Sequence, residues 1–295
     1  HQASPQIDLY DYELGDVSAA GIHMLDVDKD ILKLHEQFNN KALTIIADYD
    51  EGHFQPKKID PRVKEVNAAC HKMVERIYKI SEQHLKQEKL IGLIGGEHSV
   101  PLGLIQALGE LHSGEFGVLH IDAHADLRAA YQGFAHSHAS IMNNVLSLTQ
   151  GPKKLVQVAI RDFCQEELEI INSDSRIHCF YDRELKKKLF SGTTWDRLCH
   201  EIVDPLPEKV YISFDIDGLS PVYCPHTGTP VAGGLSFDQA LHLLNVLGTS
   251  GKTIIGFDLC EVAPSSNNSD EWDGNVGARL LYKLCGWMER TNDRS

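Results

Sequence analysis

Phe116-Gly117-Val118-Leu119-His120-Ile121-Asp122-Ala123-His124-Ala125-Asp126 is the stretch on which the reading of this chain turns. Residues 116–121 show none of the alternation of a half-exposed strand, and an apolar run of this length is what a parallel strand covered on both faces looks like. Residues 122–126 then switch at once to carboxylates and an imidazole. Working outward, the same apolar or β-branched character recurs at residues 90–94, 155–160, 210–214 and 253–257, and in a shorter run at 42–46. Each is expected to be a buried strand.

Between these runs lie segments with helical periodicity. The longest covers residues 60–88, with apolar side chains at Val63, Val66, Ala69, Cys70, Met73, Val74, Ile77 and Ile80, and with Asp60-Pro61 as cap and first-turn proline. Residues 101–111, 165–171, 195–203 and 237–247 have the same character. Strands alternating with helices predict an α/β fold, a mostly parallel sheet sandwiched by helices. The segment up to about residue 30 has no clear period and is expected to be loop. No repeat, low-complexity linker or shift in composition divides the chain, so residues 1–295 are expected to form one domain.

Composition narrows the functional classes. Apolar residues make up 42% and charged residues 24%, which excludes a disordered chain, and no run of about 18 apolar residues suggests a membrane span. A formal net charge of −14 argues against a nucleic-acid partner, whose backbone is bound by clustered Lys and Arg. It would steer a cationic ligand, although the same charge also keeps a protein soluble. The cysteines (70, 164, 179, 199, 224, 260 and 285) are odd in number and contain no CxxC pair, so they read as reduced thiols of a cytosolic protein. No signal peptide is visible. The polar start from His1 to Gln6, without an initiator Met, is that of a fragment or a processed form.

Parallel sheets bind ligands where the loops leave the carboxyl ends of the strands. Here those ends carry Gly95-Gly96-Glu97-His98-Ser99, Asp122-Ala123-His124-Ala125-Asp126, Asp215-Ile216-Asp217-Gly218 and Asp258-Leu259-Cys260-Glu261. In extended backbone, residues two apart point the same way, so Asp122, His124 and Asp126 project together, as do Asp215 and Asp217. With His98 this aims four carboxylates and two imidazoles at one crevice, where like charges repel unless a cation neutralises them. Two divalent ions are expected. A carboxylate-rich oxygen and nitrogen set without thiolate fits manganese, with iron, cobalt, nickel or zinc as alternatives, whereas magnesium suits histidine poorly. A single Asp-x-Asp is more often a turn and a lone His more often structural; the three motifs together favour metal. Cys224 and Cys260 read as packing residues.

These residues resemble the ureohydrolases, the arginase and agmatinase family, from residue 90 onward. The resemblance rests on Gly95-Gly96-Glu97-His98-Ser99, Asp122-Ala123-His124-Ala125-Asp126, Ser213-Phe214-Asp215-Ile216-Asp217-Gly218-Leu219-Ser220-Pro221, Gly228-Thr229-Pro230 and Asp258-Leu259-Cys260-Glu261-Val262-Ala263-Pro264, in that order. It implies a three-layer α/β/α sandwich and a cytosolic homo-oligomer, a trimer or hexamer. It also implies two manganese ions, one held by His98, Asp122, Asp126 and Asp215, the other by His124, Asp122, Asp215 and Asp217. A hydroxide bridging them would attack the guanidinium carbon of a small cationic substrate. By the same resemblance Glu261 pairs with the guanidinium, Asp126 passes a proton to the departing amine, His138 shuttles protons with solvent, and Thr229 lines the pocket. His136, two residues away, is a rival for the shuttle role. The family's first strand and its glycine-containing loop have no counterpart ahead of Gln2, so the first strand is expected to be incomplete.

The substrate follows from departures. Where arginases carry polar residues for the substrate's α-carboxylate and α-amino group, this chain has Arg128, Phe134, His136 and Cys164. The string Asp126-Leu127-Arg128, followed by Gly133 and Ser137-His138-Ala139, is instead similar to agmatinases and implies agmatine, cleaved to urea and putrescine. Arg128 could receive the carboxylate of guanidinobutyrate or formiminoglutamate, or could simply pair with a neighbouring acid. Arginine and guanidine are further candidates, and an inactive metal-binding regulatory relative is the alternative from outside the enzymes.

Overall fold

Two aspartates set the first layer of helices. In this computed structural model, which describes residues 3–52, 60–266 and 270–293, Asp28 accepts hydrogen bonds from the amides of Asp30 and Ile31 and so starts α1 (Lys29–Asp50). Asp60 accepts from Arg62 and, with Pro61 in the first turn, starts α2 (Pro61–Leu85). The expected strand at 42–46 is therefore corrected: it is the end of α1. Ile45 is fully buried while Leu43, two residues back, is 53% exposed, which breaks the strand period. Ile31, Phe38, Ala42, Ile45 and Ile46 instead share one helical face, toward α2 and the loop at Phe134. A short apolar run alone cannot separate the two periods.

Ahead of α1 the chain is largely irregular, with a minimal antiparallel pair, β1 (Tyr10–Asp11) and β2 (Gly15–Asp16). The main sheet comprises β3 (Gly92–Ile94), β4 (Gly117–Ile121), β5 (Lys154–Ile160), β6 (Ile177–Tyr181), β7 (Lys209–Asp215) and β8 (Thr253–Cys260). Its order is β3-β8-β7-β4-β5-β6, and every neighbouring pair is parallel. The strands of the interior are buried along almost their whole length, as the unbroken apolar runs require. At the edges the expectation of two covered faces fails: Ile94 of β3 is 51% exposed and β6 is mostly half-buried. The polar content of β6, with His178 and Cys179 in five residues, hid it from a search for apolar runs.

Successive residues of each strand feed two cores. On one face Val118, Leu155, Tyr211 and Ile255 pack against α2 and α3 (Leu102–Leu111), with α4 (Ile141–Leu146) and α5 (Gln165–Ser173) alongside. On the other, Leu119, Ile121, Val156 and Ile212 pack against α6 (Asp182–Phe190), α7 (Trp195–Val203), α8 (Phe237–Thr249) and α9 (Trp272–Asn292). Each fully buried Leu or Ile contributes roughly 1.5–3 kcal/mol, so both faces are strongly held. This is a three-layer α/β/α sandwich. Among the described residues no helix is long and apolar enough to cross a membrane.

The strand order places β4 against β7 and β7 against β8. Ile121 pairs with Phe214, and Asp215 with Cys260. The carboxyl ends of these strands, and the loop after β3, therefore open onto one crevice.

Candidate metal centre

Beyond Ile121 and Phe214, in register with one another, come Asp122 and Asp215. Both are nearly fully buried, as are Asp126, Asp217 and His98. The loop after β3 is stitched to the end of β8 by the Gly95 amide on Leu259 O and by the Glu261 amide on Gly96 O. That holds the His98 ring over the cluster, with Nδ1 3.0 Å from Asp122 Oδ2, 3.2 Å from Asp215 Oδ2 and 3.3 Å from Asp126 Oδ2. His124, a quarter exposed, brings Nδ1 to 3.1 Å from Asp217 Oδ2 and 3.5 Å from Asp122 Oδ1. Asp217 is anchored by accepting from the Ala123 amide, and Asp215 by accepting from the Asp217 amide. All six predicted ligands meet at one point of the fold.

Backbone strain sharpens the site. Asp126 (φ 56°) and Glu261 (φ 63°) adopt the left-handed region that side chains disfavour, at a cost of order 1–3 kcal/mol each. At Asp126 the carbonyl accepts from the amides of Met142 and Asn143 at the start of α4, which fixes the conformation. Ala159 (φ 72°) is a third such residue, at a bulge of β5. Its carbonyl accepts from Arg161, whose guanidinium also donates to Asp217 O, Leu219 O and Val231 O and so ties the β7 loop to the next segment.

The electrostatics show what the cluster lacks. Burial and then repulsion from Asp122 push Asp126 and Asp215 well above the usual carboxylate range, and Asp217 upward. Burial would raise Asp122 as well, but the imidazoles of His120, His124 and His98 together hold it well below that range. Burial opposes the His98 cation, yet its carboxylate neighbours raise it well above the imidazole value; for His124 the same balance gives about 11. Such a set is short of positive charge and borrows protons to make it good. The donor atoms fall into three overlapping groups, each within 4.8 Å: those of His98, His120, Asp122 and Asp126, those of Asp122, His124 and Asp217, and, behind the His98 ring, those of His98, Asp258 and Cys260. Asp122 belongs to the first two. The residues fit two divalent cations that share a carboxylate and accept mixed oxygen and nitrogen ligands.

Residues 22–286 match the family model described as the arginase family. The chain belongs to the arginase family. It is 34% identical over 199 residues to an N(1)-aminopropylagmatine ureohydrolase of Synechocystis, an overlap of 68% of this chain and 61% of that protein. Only about three fifths of that relative is thus spanned. An agmatinase of Halalkalibacterium halodurans is 27% identical over 258 residues, covering 87% of this chain and 81% of the relative. Among solved structures, the agmatine ureohydrolase of Thermoplasma volcanium superposes with a TM-score of 0.69 at 22% identity, covering 98% of this chain and 81% of the other, and so shares the fold.

The residues that the resemblance assigns beyond the ligands are placed unequally around this arginase-family cluster. Glu261 lies beside it, with Oε1 accepting from the His98 amide at 2.8 Å, and burial raises its carboxyl. Thr229 is exposed on the neighbouring loop, while Thr227, two residues back, is buried and donates to Glu261 O. His138 stands at the mouth, half-exposed, its ring edge-on to Tyr131 and Nδ1 3.8 Å from Glu97 Oε1. Burial, then repulsion from His124, lowers its pKa. Its rival His136 faces His71 on α2, and its Nδ1 is buried without a hydrogen-bond partner among the described residues. Phe134 is 8% exposed and packs with Ile45, Val63 and Val66, so its ring is core and does not line a pocket. Arg128 lies over the Tyr131 ring, with Nε 3.6 Å from Glu167 Oε2. Glu167 itself caps the amides of Leu127 and Cys164, which makes the ion pair part of the scaffold.

Three polar side chains at the cluster were given no role by the sequence reading, although Ser213 and Asp258 stand in its motifs. Ser213 Oγ and Asp258 Oδ1 lie 2.9 and 3.5 Å from His98 Nε2, behind the ring. The third, His120, precedes Asp122 by two residues and shares its strand face; that period-two signal was available in the sequence.

Proposed function

We propose that this chain hydrolyses the guanidinium group of agmatine to urea and putrescine, with two divalent ions, manganese by ligand type, held by His98, Asp122, His124, Asp126, Asp215 and Asp217. One observation carries the reading: Glu261, in a strained backbone conformation, presents a half-buried carboxylate beside the cluster, with its Oε1 held by the His98 amide. Metal binding alone does not require that carboxylate. Bound there, divalent ions supply a nucleophilic water ionised near neutral pH. The protein's own groups do the rest. Glu261 orients the planar guanidinium by a charge-assisted contact in a desolvated crevice. Asp126, at the edge of the cluster, is placed to accept a proton from the attacking water and pass it to the departing amine. His138, kept neutral by burial at the mouth, accepts a proton and returns it to solvent.

The engagement of Arg128 by Glu167 weakens its role as a carboxylate receptor and favours a substrate without one. The chain's seven cysteines are free thiols, in keeping with a reducing compartment. A second reading, N(1)-aminopropylagmatine as substrate, is supported by the Synechocystis relative. A urea-release assay on manganese-loaded protein with agmatine, N(1)-aminopropylagmatine, arginine, guanidinobutyrate and guanidine separates them. Agmatine is expected to give the highest kcat/KM. Urea from none of them would sink the enzymatic reading and leave the metal-binding regulatory one.

A further inference from the structure

His120 is fully buried, its ring centroid is 5.4 Å from that of His98, and its donor atom falls within the same 4.8 Å group as those of His98, Asp122 and Asp126. Proximity alone would make it a third imidazole ligand. Its hydrogen bonds say otherwise. Gln157 lies directly opposite on β5, paired with His120 in the register of the sheet, and its Nε2 is 2.7 Å from Ala125 O. A carbonyl can only accept, so the amide nitrogen of Gln157 is fixed at that end. The same Nε2 is 3.0 Å from His120 Nδ1, which must therefore accept. In a neutral ring the proton then sits on Nε2, 2.8 Å from Asp122 Oδ2. Gln157 Oε1, meanwhile, is buried with no hydrogen-bond partner among the described residues. An unpaired buried carbonyl is destabilising, so the amide is oriented for what its nitrogen reaches.

We infer that His120 and Gln157 form a two-step relay that sets the plane of the Asp122 carboxylate, and that His120 is a positioning residue and not a metal ligand. Both ring nitrogens are committed, one to Gln157 and one to Asp122. Asp122 is thereby gripped on both oxygens, Oδ2 by His120 and Oδ1 by the His124 amide at 2.6 Å. The remaining lone pairs turn toward His98 on one side and His124 on the other, as a carboxylate shared between two ions needs. The consequence for metal rests on the two-ion reading above, whereas the tautomer does not.

Two measurements test this. In metal-free wild-type protein with 15N-labelled histidine, long-range 15N–1H spectra near neutral pH are expected to show His120 protonated at Nε2; an Nδ1-protonated ring overturns the relay. Manganese titration, read by the electron paramagnetic resonance of free Mn2+, is then compared among wild type, His120→Leu, His120→Gln and Gln157→Met. Losing such an outer hydrogen bond to a ligand is expected to weaken affinity about 10–100-fold in His120→Leu and Gln157→Met. His120→Gln, which keeps an N–H where Nε2 was, should recover most of it, and the metal-free melting temperatures should stay within a few degrees of wild type. Should His120→Leu fail to fold, Gln157→Met reads the same relay one step further out. Unchanged affinity in Gln157→Met, or no recovery in His120→Gln, overturns the inference. A wild-type protein that binds no Mn2+ would refute the metal reading instead, with the tautomer still reporting on the relay.

Discussion

At the scale of single residues the site separates holding from turning over. Asp215 lies 3.2 Å from His98 Nδ1, and burial, then repulsion from Asp122 and Asp217, raises its pKa, an environment that suits the shared cation proposed above. Asp215→Ala should lose manganese outright; full occupancy by elemental analysis would overturn its assignment as ligand. Among the described residues, the Glu261 side chain is tied to the cluster by the His98 amide. Glu261→Gln keeps shape and that hydrogen bond but removes the charge that meets a guanidinium, so metal content should be unchanged while kcat/KM for agmatine falls at least about 100-fold, of order 3 kcal/mol. A Gln variant with wild-type kcat/KM would remove Glu261 from substrate recognition. His138 touches no predicted ligand; His138→Asn should keep both ions and lose about 10²–10⁴-fold in kcat, as general acid–base partners do. Addition of free imidazole should restore part of that rate. Unchanged turnover would pass the shuttle role to solvent, because His136 points toward α2.

At the scale of elements, the interior strands were legible because burial on both faces leaves one composition, and their ends were legible because a carboxylate or imidazole after such a run has few other reasons to be there. Residues 42–46 were misread because five apolar residues fit either period, and only the Asp28 cap upstream and the partners Phe38 and Phe134 decide for the helix. β6 and α6 were missed for the opposite reason: at the sheet edge one face meets water, so the pattern dilutes into polar residues. Behind His98, Ser213 and Asp258 lie inside strands, where sequence does not say which neighbour a polar side chain will meet. One contact between elements makes a further prediction. A Cβ at Gly218, just past β7, would stand 2.8 Å from Asp122 N and 3.0 Å from Ile121 C, so glycine lets the β7 loop lie on the end of β4. Gly218→Ala should cost about 1–3 kcal/mol of stability and, by prising Asp217 from Asp122, weaken manganese binding about tenfold or more. Melting curves and metal titration measure the two effects separately. A loss of stability with unchanged metal affinity would mean the contact serves the fold alone.

At the scale of the whole molecule, a chain of net charge −14 gathers the four buried carboxylates of the proposed ligand set at one end of its sheet, and the protons they retain in the absence of metal become a property of the fold. Asp126 and Asp215, and His98 and His124, all have folded pKa values raised above those of the unfolded chain, His124 to about 11. The stability each contributes is complete below its unfolded pKa and is lost as pH rises through its folded one. Asp122 runs the other way, but above about pH 4 it is ionised in both states and adds no slope. His138 and His136, both lowered, gain stability as pH rises, yet that gain is finished once an unfolded histidine has lost its proton, by about pH 7.5. Between about pH 7.5 and 8.5 the metal-free folded protein therefore binds more protons than the unfolded chain, and the thiols, all raised by burial on folding, add to the same sign as unfolded cysteines begin to ionise. Its stability should fall with rising pH, by at most about 1.4 kcal/mol per pH unit for each excess proton. Divalent ions remove the cluster's part of that slope, because they bind deprotonated ligands and release those protons. Melting temperatures of chelator-treated and manganese-loaded protein across that window should diverge, the first falling more steeply than the second. Parallel curves would mean that the cluster neither stores those protons nor exchanges them for metal.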